Sequence, residues 1–146
     1  MHYQALLLNC MDPRLQGGNE IKIAAAAGFK PGEYEVLTYA GPSLWMTDPH
    51  EKTHADSFWW LLKNVSLNVH QINTVIIVGH SSCGGFALKG APRDPADEKS
   101  AIIASLKSAR EVILAEYLDK KVSLVFVKID NKNGQNLPEI KMELIP

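Results

Sequence analysis

The stretch Val75-Ile76-Ile77-Val78-Gly79-His80-Ser81-Ser82-Cys83-Gly84-Gly85 limits what this chain can become more than any other. Four β-branched residues in succession suit a strand buried on both faces, as at the centre of a parallel sheet. The run ends at an imidazole and a thiol three residues apart, followed by two glycines. In an open α/β sheet, binding sites form where the carboxyl ends of strands meet the following loops, so chemistry is expected at this edge. A second apolar run, Ala5-Leu6-Leu7-Leu8, leads to the other cysteine, Cys10. Two strand ends therefore each carry a thiol.

The remaining pattern alternates strands with helices. Tyr3 to Leu8 reads as the first strand, ended by a turn in which Pro13 biases Asp12 away from helical dihedrals. Asn19 is placed to cap a short helix through Ala24-Ala25-Ala26-Ala27, with Gly28 closing it in a left-handed conformation. Lys30-Pro31-Gly32 is a turn, and Tyr34 to Tyr39 a second strand. Residues 43 to 53 read as irregular. From His54 to Val69 a helix is expected whose inner face carries Phe58, Leu62, Val65 and Val69. Thr74 to Val78 is the third strand. Gly84 and Gly85 open a short helical turn, and Ala96 to Leu118 is the longest periodic segment, with Ile102, Leu106, Ala109, Ile113 and Tyr117 facing inward. Val122 to Ile129 is a fourth strand, and Asn133-Gly134 signals a hairpin before a last strand at Ile140 to Ile145. The fold class implied is α/β, a mainly parallel β-sheet flanked by helices with an antiparallel edge strand.

At 146 residues the chain suits one domain, covering 1–146. Fifteen basic residues against sixteen acidic ones leave a formal charge of −1, which excludes the electrostatic footprint needed for nucleic acid or an anionic membrane surface. No run is long enough to cross a bilayer, and the N-terminus has neither a basic leader nor a cleavage site, so a cytoplasmic protein is expected. In a reducing compartment, cysteines more often bind metal or catalyse than form disulfides.

Cys10, His80 and Cys83 offer two thiolates and one imidazole, a soft ligand set for zinc. Three protein ligands leave a fourth tetrahedral position open, as in catalytic sites. A His-x-x-Cys pair by itself also reads as a loop histidine beside a buried cysteine. Asp12 and Arg14 flank Pro13, and in an extended turn both face one side, where a guanidinium can hold a carboxylate ionised. An ordinary surface ion pair is the alternative. Trp45, Phe58, Trp59 and Phe86 are candidates for a small apolar pocket, though aromatics are more often core. His50 and His54 flank a polar loop and read as exposed, as do Lys89 and Arg93. His2 and His70 have no partner evident in the sequence.

Taken together, Cys10-Met11-Asp12-Pro13-Arg14 and His80-Ser81-Ser82-Cys83-Gly84 resemble the Cys-x-Asp-x-Arg and His-x-x-Cys-Gly motifs of β-class carbonic anhydrases. The order of elements from Val75 to the terminal strand pair, with Asp130 and Gly134, resembles the family as well. The resemblance implies a zinc ion (Zn2+) on Cys10, His80 and Cys83, with Asp12 either the fourth ligand or drawn onto Arg14 to free the metal for water. The activity implied is reversible hydration of carbon dioxide to bicarbonate by a zinc-bound hydroxide, with Asp12 and Arg14 catalytic and Ala40, Gly41 and Gly84 lining the substrate's approach. It also implies a homodimer or higher even oligomer. Two departures stand out: Thr38-Tyr39-Ala40-Gly41 replaces the family's Arg-Asn-Ala-Gly, and Ser82 occupies a position commonly acidic or amidic. The family's helical arm before the first strand is not expected here. Carbonyl sulfide or carbon disulfide hydrolysis would use the same residues, and a non-catalytic zinc module would keep Asp12 on the metal. A thiol phosphatase is disfavoured, because Cys10 to Arg14 lacks the glycine-rich phosphate cradle.

Overall fold

The structure, a computed structural model, describes residues 3–130 and 138–146. Five strands, β1 (Ala5–Cys10), β2 (Tyr34–Tyr39), β3 (Thr74–His80), β4 (Lys121–Asp130) and β5 (Glu139–Ile145), make one sheet in the order β2-β1-β3-β4-β5. The first four are parallel and β5 returns antiparallel to β4. Every residue of β1 and β3 is buried, which is why these strands read as unbroken runs rather than as alternations. The expected α/β sheet with an antiparallel edge is the one formed.

From β1 the chain steps outward to β2, then crosses back over β1 to β3 and onward to β4. Right-handed crossovers put α1 (Gly18–Ala26) on one face, and α2 (Leu44–Thr47), α3 (Lys52–Trp60) and α5 (Pro95–Glu116) on the other, while α4 (Gly84–Leu88) follows β3 directly. The strand order reverses between β1 and β3, so a crevice opens at their carboxyl ends. Cys10 is the last residue of β1 and His80 the last of β3.

Several local features depart from what the sequence suggests. Both β1 and β3 run two residues beyond the expected ends, so Cys10 and His80 belong to the sheet rather than to loops. Asn19 does not cap α1: the helix has already begun at Gly18, after Gly17 at φ 59°, and Asn19 turns inward. Its amide donates to Arg14 O at 2.8 Å and Pro138 O at 3.0 Å, tying the start of α1 to the entry of β5. The stretch expected to be irregular contains α2, and α3 begins at Lys52, its first turn closed by Glu51 accepting from His54 N at 2.9 Å. Beyond Trp60 the helix widens to a π-helix over Leu61–Val69, closed by His70 N to Val65 O at 2.8 Å. Wider winding moves the buried face: Phe58 and Leu62 stay inside, Ser66 and Leu67 follow them, and Val69 is left 74% exposed. The Asn133-Gly134 turn lies outside the described residues.

Helix α5 follows the expected stripe, with Ile102, Leu106, Ala109 and Ile113 fully buried. Asp94 caps it, accepting from Ala96 N and Asp97 N, and Pro95 fills the first position, where no donor is needed. It lies against β3 and β4 so closely that a Cβ on Gly79 would meet Ile102 Cγ2 at 2.5 Å and Leu106 Cδ1 at 3.2 Å. Gly79 thus sets the helix-to-sheet distance one residue before His80. Gly79→Ala is expected to lower stability by roughly 1–3 kcal/mol through overpacking, read as a reduced denaturation midpoint with an unchanged slope.

Candidate metal centre

Three buried donors meet at the carboxyl ends of β1 and β3. The donor atoms of Cys10, His80 and Cys83 all lie within 4.8 Å of one another. The two sulfurs are 4.0 Å apart and both cysteines are free. Cys10 is fixed by its neighbours' amides: Asn9 Oδ1 accepts from Cys10 N at 3.0 Å, and Gln16 Nε2 donates to Cys10 O at 2.7 Å. Asn9 is itself fully buried and donates to Leu15 O at 3.0 Å, holding the turn after β1 against the strand. Cys83 sits in extended backbone just before α4.

His80 Nδ1 lies 2.8 Å from Ser81 O. A carbonyl can only accept, so Nδ1 carries the hydrogen, and in the neutral ring Nε2 presents a bare lone pair. That Nε2 is buried and has no hydrogen-bond partner among the described residues. An orphaned acceptor facing two thiols costs free energy unless something binds there. Hydrogen bonding from the Cys83 thiol, opposed by burial and assisted by His80, lowers Cys10 to about 4. Cys83 is pushed up, first by its bond to Cys10 and then by burial. The contact thus favours ionisation of one sulfur while the other keeps its proton. A tetrahedral zinc with bonds of about 2.3 Å separates two sulfurs by about 3.8 Å, close to the spacing present, so the donor set fits that metal.

Asp12 and Arg14 are joined, although not through an extended turn. Pro13–Leu15 is a short 3-10 turn that Asp12 caps, accepting from Arg14 N at 2.9 Å. The Arg14 side chain then closes on the same carboxylate, Nε at 2.9 and 3.2 Å and Nη2 at 2.6 Å. This clamp is the largest cause holding Asp12 below its ordinary value, and it raises Arg14 in return. The carboxylate therefore stays on the guanidinium and outside the three-donor group. Arg14 Nη2 also donates to Ser82 O at 3.3 Å, while Ser82 N donates to Glu98 on α5 at 2.9 Å. Ser82 is held at φ 56°, a left-handed position uncommon for serine, and these two bonds pin it there.

A family model described as "Putative carbonic anhydrase" matches residues 2–135. The chain belongs to that carbonic anhydrase family. Its fold is similar to the solved beta-carbonic anhydrase CcaA, at 13% identity over 99% of this chain and 84% of that one, with a TM-score of 0.60. The beta-carbonic anhydrase CafA of Aspergillus fumigatus aligns at 12% identity over 97% of this chain and 76% of that one, TM-score 0.54. A tetrameric beta-carbonic anhydrase of Sordaria macrospora aligns at 13% identity over 97% and 81%, TM-score 0.51. No curated protein matches in sequence.

Of the three donors in this carbonic anhydrase chain, Cys10 opens onto a cavity of about 530 Å³ lined also by Asp12, Ala40, Gly84, Gly85 and Leu88, among others. Gly84 has open space where a Cβ would stand, so a side chain there would enter the cavity. Gly41 lies behind Ala40 rather than on the cavity wall, packed on Leu44 and Phe86. Gly85 carries no sequence signal that marks it as part of the site, yet a Cβ on it would strike Ala40 O at 2.7 Å, so α4 reaches the sheet only with glycine here. Trp45 Nε1 donates to Ala40 O at 3.1 Å and braces the same carbonyl from behind. Phe58 and Phe86 are core, Trp45 and Trp59 pack partly buried against it, and none of the four lines the cavity. His50 and His54 are exposed on either side of Trp45, and Lys89 bonds Asp48 and Pro49 O. His70 pairs with Glu35 at 2.5 Å, far in sequence and so invisible to a local reading.

Because Asp12 is lowered when folded, its pairing stabilises the protein above the ordinary carboxylate value of 3.8 and that contribution is lost as pH falls through the folded value. Asp12→Asn is expected to cost roughly 1 kcal/mol at neutral pH. The gap between variant and wild type should narrow steadily as unfolding is measured at lower pH.

Proposed function

We propose that this protein holds one zinc ion on Cys10, His80 and Cys83 and catalyses the reversible hydration of carbon dioxide to bicarbonate. The observation that carries the reading is the convergence of two thiols and an unpartnered Nε2 beside a carboxylate already taken up by an arginine. When bound, zinc supplies Lewis acidity, lowering the pKa of a coordinated water.

The chain's own residues do the rest. Cys10 gives up its proton readily and Cys83 surrenders its own on binding, so metal uptake releases a proton. Ser81 O keeps His80 in the tautomer whose Nε2 is a ligand. Arg14 keeps Asp12 ionised and turned from the donors, so that Asp12 would not itself ligate a bound zinc. With zinc bound, Asp12 would be placed to accept a hydrogen bond from water at the metal and so orient it toward the substrate. The cavity walls formed by Met11, Pro13, Ala40 and Leu88 offer little polarity, which suits a small apolar substrate. Two free cysteines suit a reducing compartment such as the cytoplasm, and no described helix is long and apolar enough to cross a membrane.

We also read the protein as an even oligomer. Met11 and Leu88, 64% and 81% exposed at the cavity, and Val36 and Leu61 at the open β2 edge are apolar surfaces that a second copy would cover. Light scattering at micromolar concentration is expected to give an even multiple of 16.1 kDa, and a stable 16.1 kDa species would contradict the oligomer.

Arg14→Ala should leave zinc content unchanged and cut stopped-flow carbon dioxide hydration by roughly a hundredfold, because Asp12 is released to the metal. Wild-type protein with full zinc and no hydration from neutral to alkaline pH would overturn the enzyme reading.

A further inference from the structure

A second cavity, of about 410 Å³, lies between the first turns of α5 and the β4–β5 pair. Its walls divide by chemistry. Phe126, Pro95 and Ala96 supply an apolar side, and Lys99, Lys128 and Lys141 supply cations. Phe126 is only 4% exposed, so the apolar side is rigid core rather than loose surface. The volume falls in the range of small-ligand sites.

The cations are not equivalent. Lys99 is already neutralised by Glu143 at 2.6 Å and rests over the Phe126 ring at 5.3 Å. Lys128 and Lys141 have no ion pair or hydrogen bond among the described residues, and they stand directly opposite each other in the antiparallel register. Like charges facing across a strand pair destabilise it. Of the flanking register partners that could offset them, Glu143 is taken by Lys99, Asp130 has an interaction of its own, and Glu139 makes no ion pair with either lysine among the described residues. An anion between the two ammonium groups removes the repulsion, and its carbon body would lie against Phe126, Pro95 and Ala96.

We propose that this cleft binds a small organic anion, one carboxylate on an apolar body, between Lys128 and Lys141. The cleft is separate from the metal cavity, and Ser81 touches both regions. Its side chain lines the cleft and accepts from Ile129 N at 3.0 Å, while its carbonyl holds His80 Nδ1.

Benzoate tests the proposal on the whole protein as purified, by amide chemical shifts that need no turnover, so the outcome is independent of the proposed reaction. Saturable one-to-one binding is expected, with the shifts centred on Lys128, Lys141 and Glu143. The double variant K128Q/K141Q should bind at least tenfold more weakly, while K107Q, an exposed charge elsewhere on α5, should bind as wild type does. Inorganic phosphate, which lacks the apolar body, should bind more weakly than benzoate, and cyclohexylammonium should not bind. The proposal is overturned by no saturation at tens of millimolar, by equal binding in K128Q/K141Q, by phosphate matching benzoate, or by shifts centred on Cys10 and Gly84 instead.

Discussion

Two sulfurs and an imidazole are held together without a bond between them, and much of the surrounding structure serves to keep them there. Burying such groups in contact is unfavourable unless the backbone leaves no alternative. The constraint is the parallel pairing of β1 with β3, in which Leu8 stands opposite Ile77. Counting two places on from that pair sets Cys10 level with Gly79 and one residue short of His80. A slip of one residue would turn every side chain of β1 to the other face and carry Cys10 away from His80. Gly79 then lets α5 approach, and Gly85 lets α4 fold back to deliver Cys83.

Around that centre runs a chain of polar contacts from α5 to the turn after β1. Glu98 accepts from Ser82 N, Ser82 O accepts from Arg14, and Arg14 clamps Asp12. The serine at this place carries no charge of its own. Its backbone makes both contacts, and the acid comes from Glu98, 16 residues further along the chain but adjacent in space. An acid from a neighbouring helix thus reaches the loop before the second cysteine.

The sheet and its order are readable in the sequence because β1 and β3 are saturated with apolar residues, and the last strand is readable because a turn signal separates it from β4. The three donors are legible for a related reason: cysteine and histidine at the carboxyl ends of such strands stand where an α/β sheet opens its crevice. Geometry made by distant partners is not legible. Asn19 resembles a helix cap by position, but its amide is taken by Arg14 O and Pro138 O. Val69 fits a regular helical stripe until the π-helical winding turns it outward. Asp12 and Arg14 pair as their spacing suggests but on a different backbone, since a capped 3-10 turn rather than an extended one joins them. The lysine cleft draws on α5, β4 and β5, so no local pattern announces it.

Whether Cys10, His80 and Cys83 act as one metal-binding set is tested most directly by zinc-edge X-ray absorption on protein carrying one equivalent of zinc. Two sulfur neighbours at about 2.3 Å, imidazole scattering and one further light atom are predicted. A spectrum with no sulfur, or with a single sulfur neighbour, would contradict that assignment.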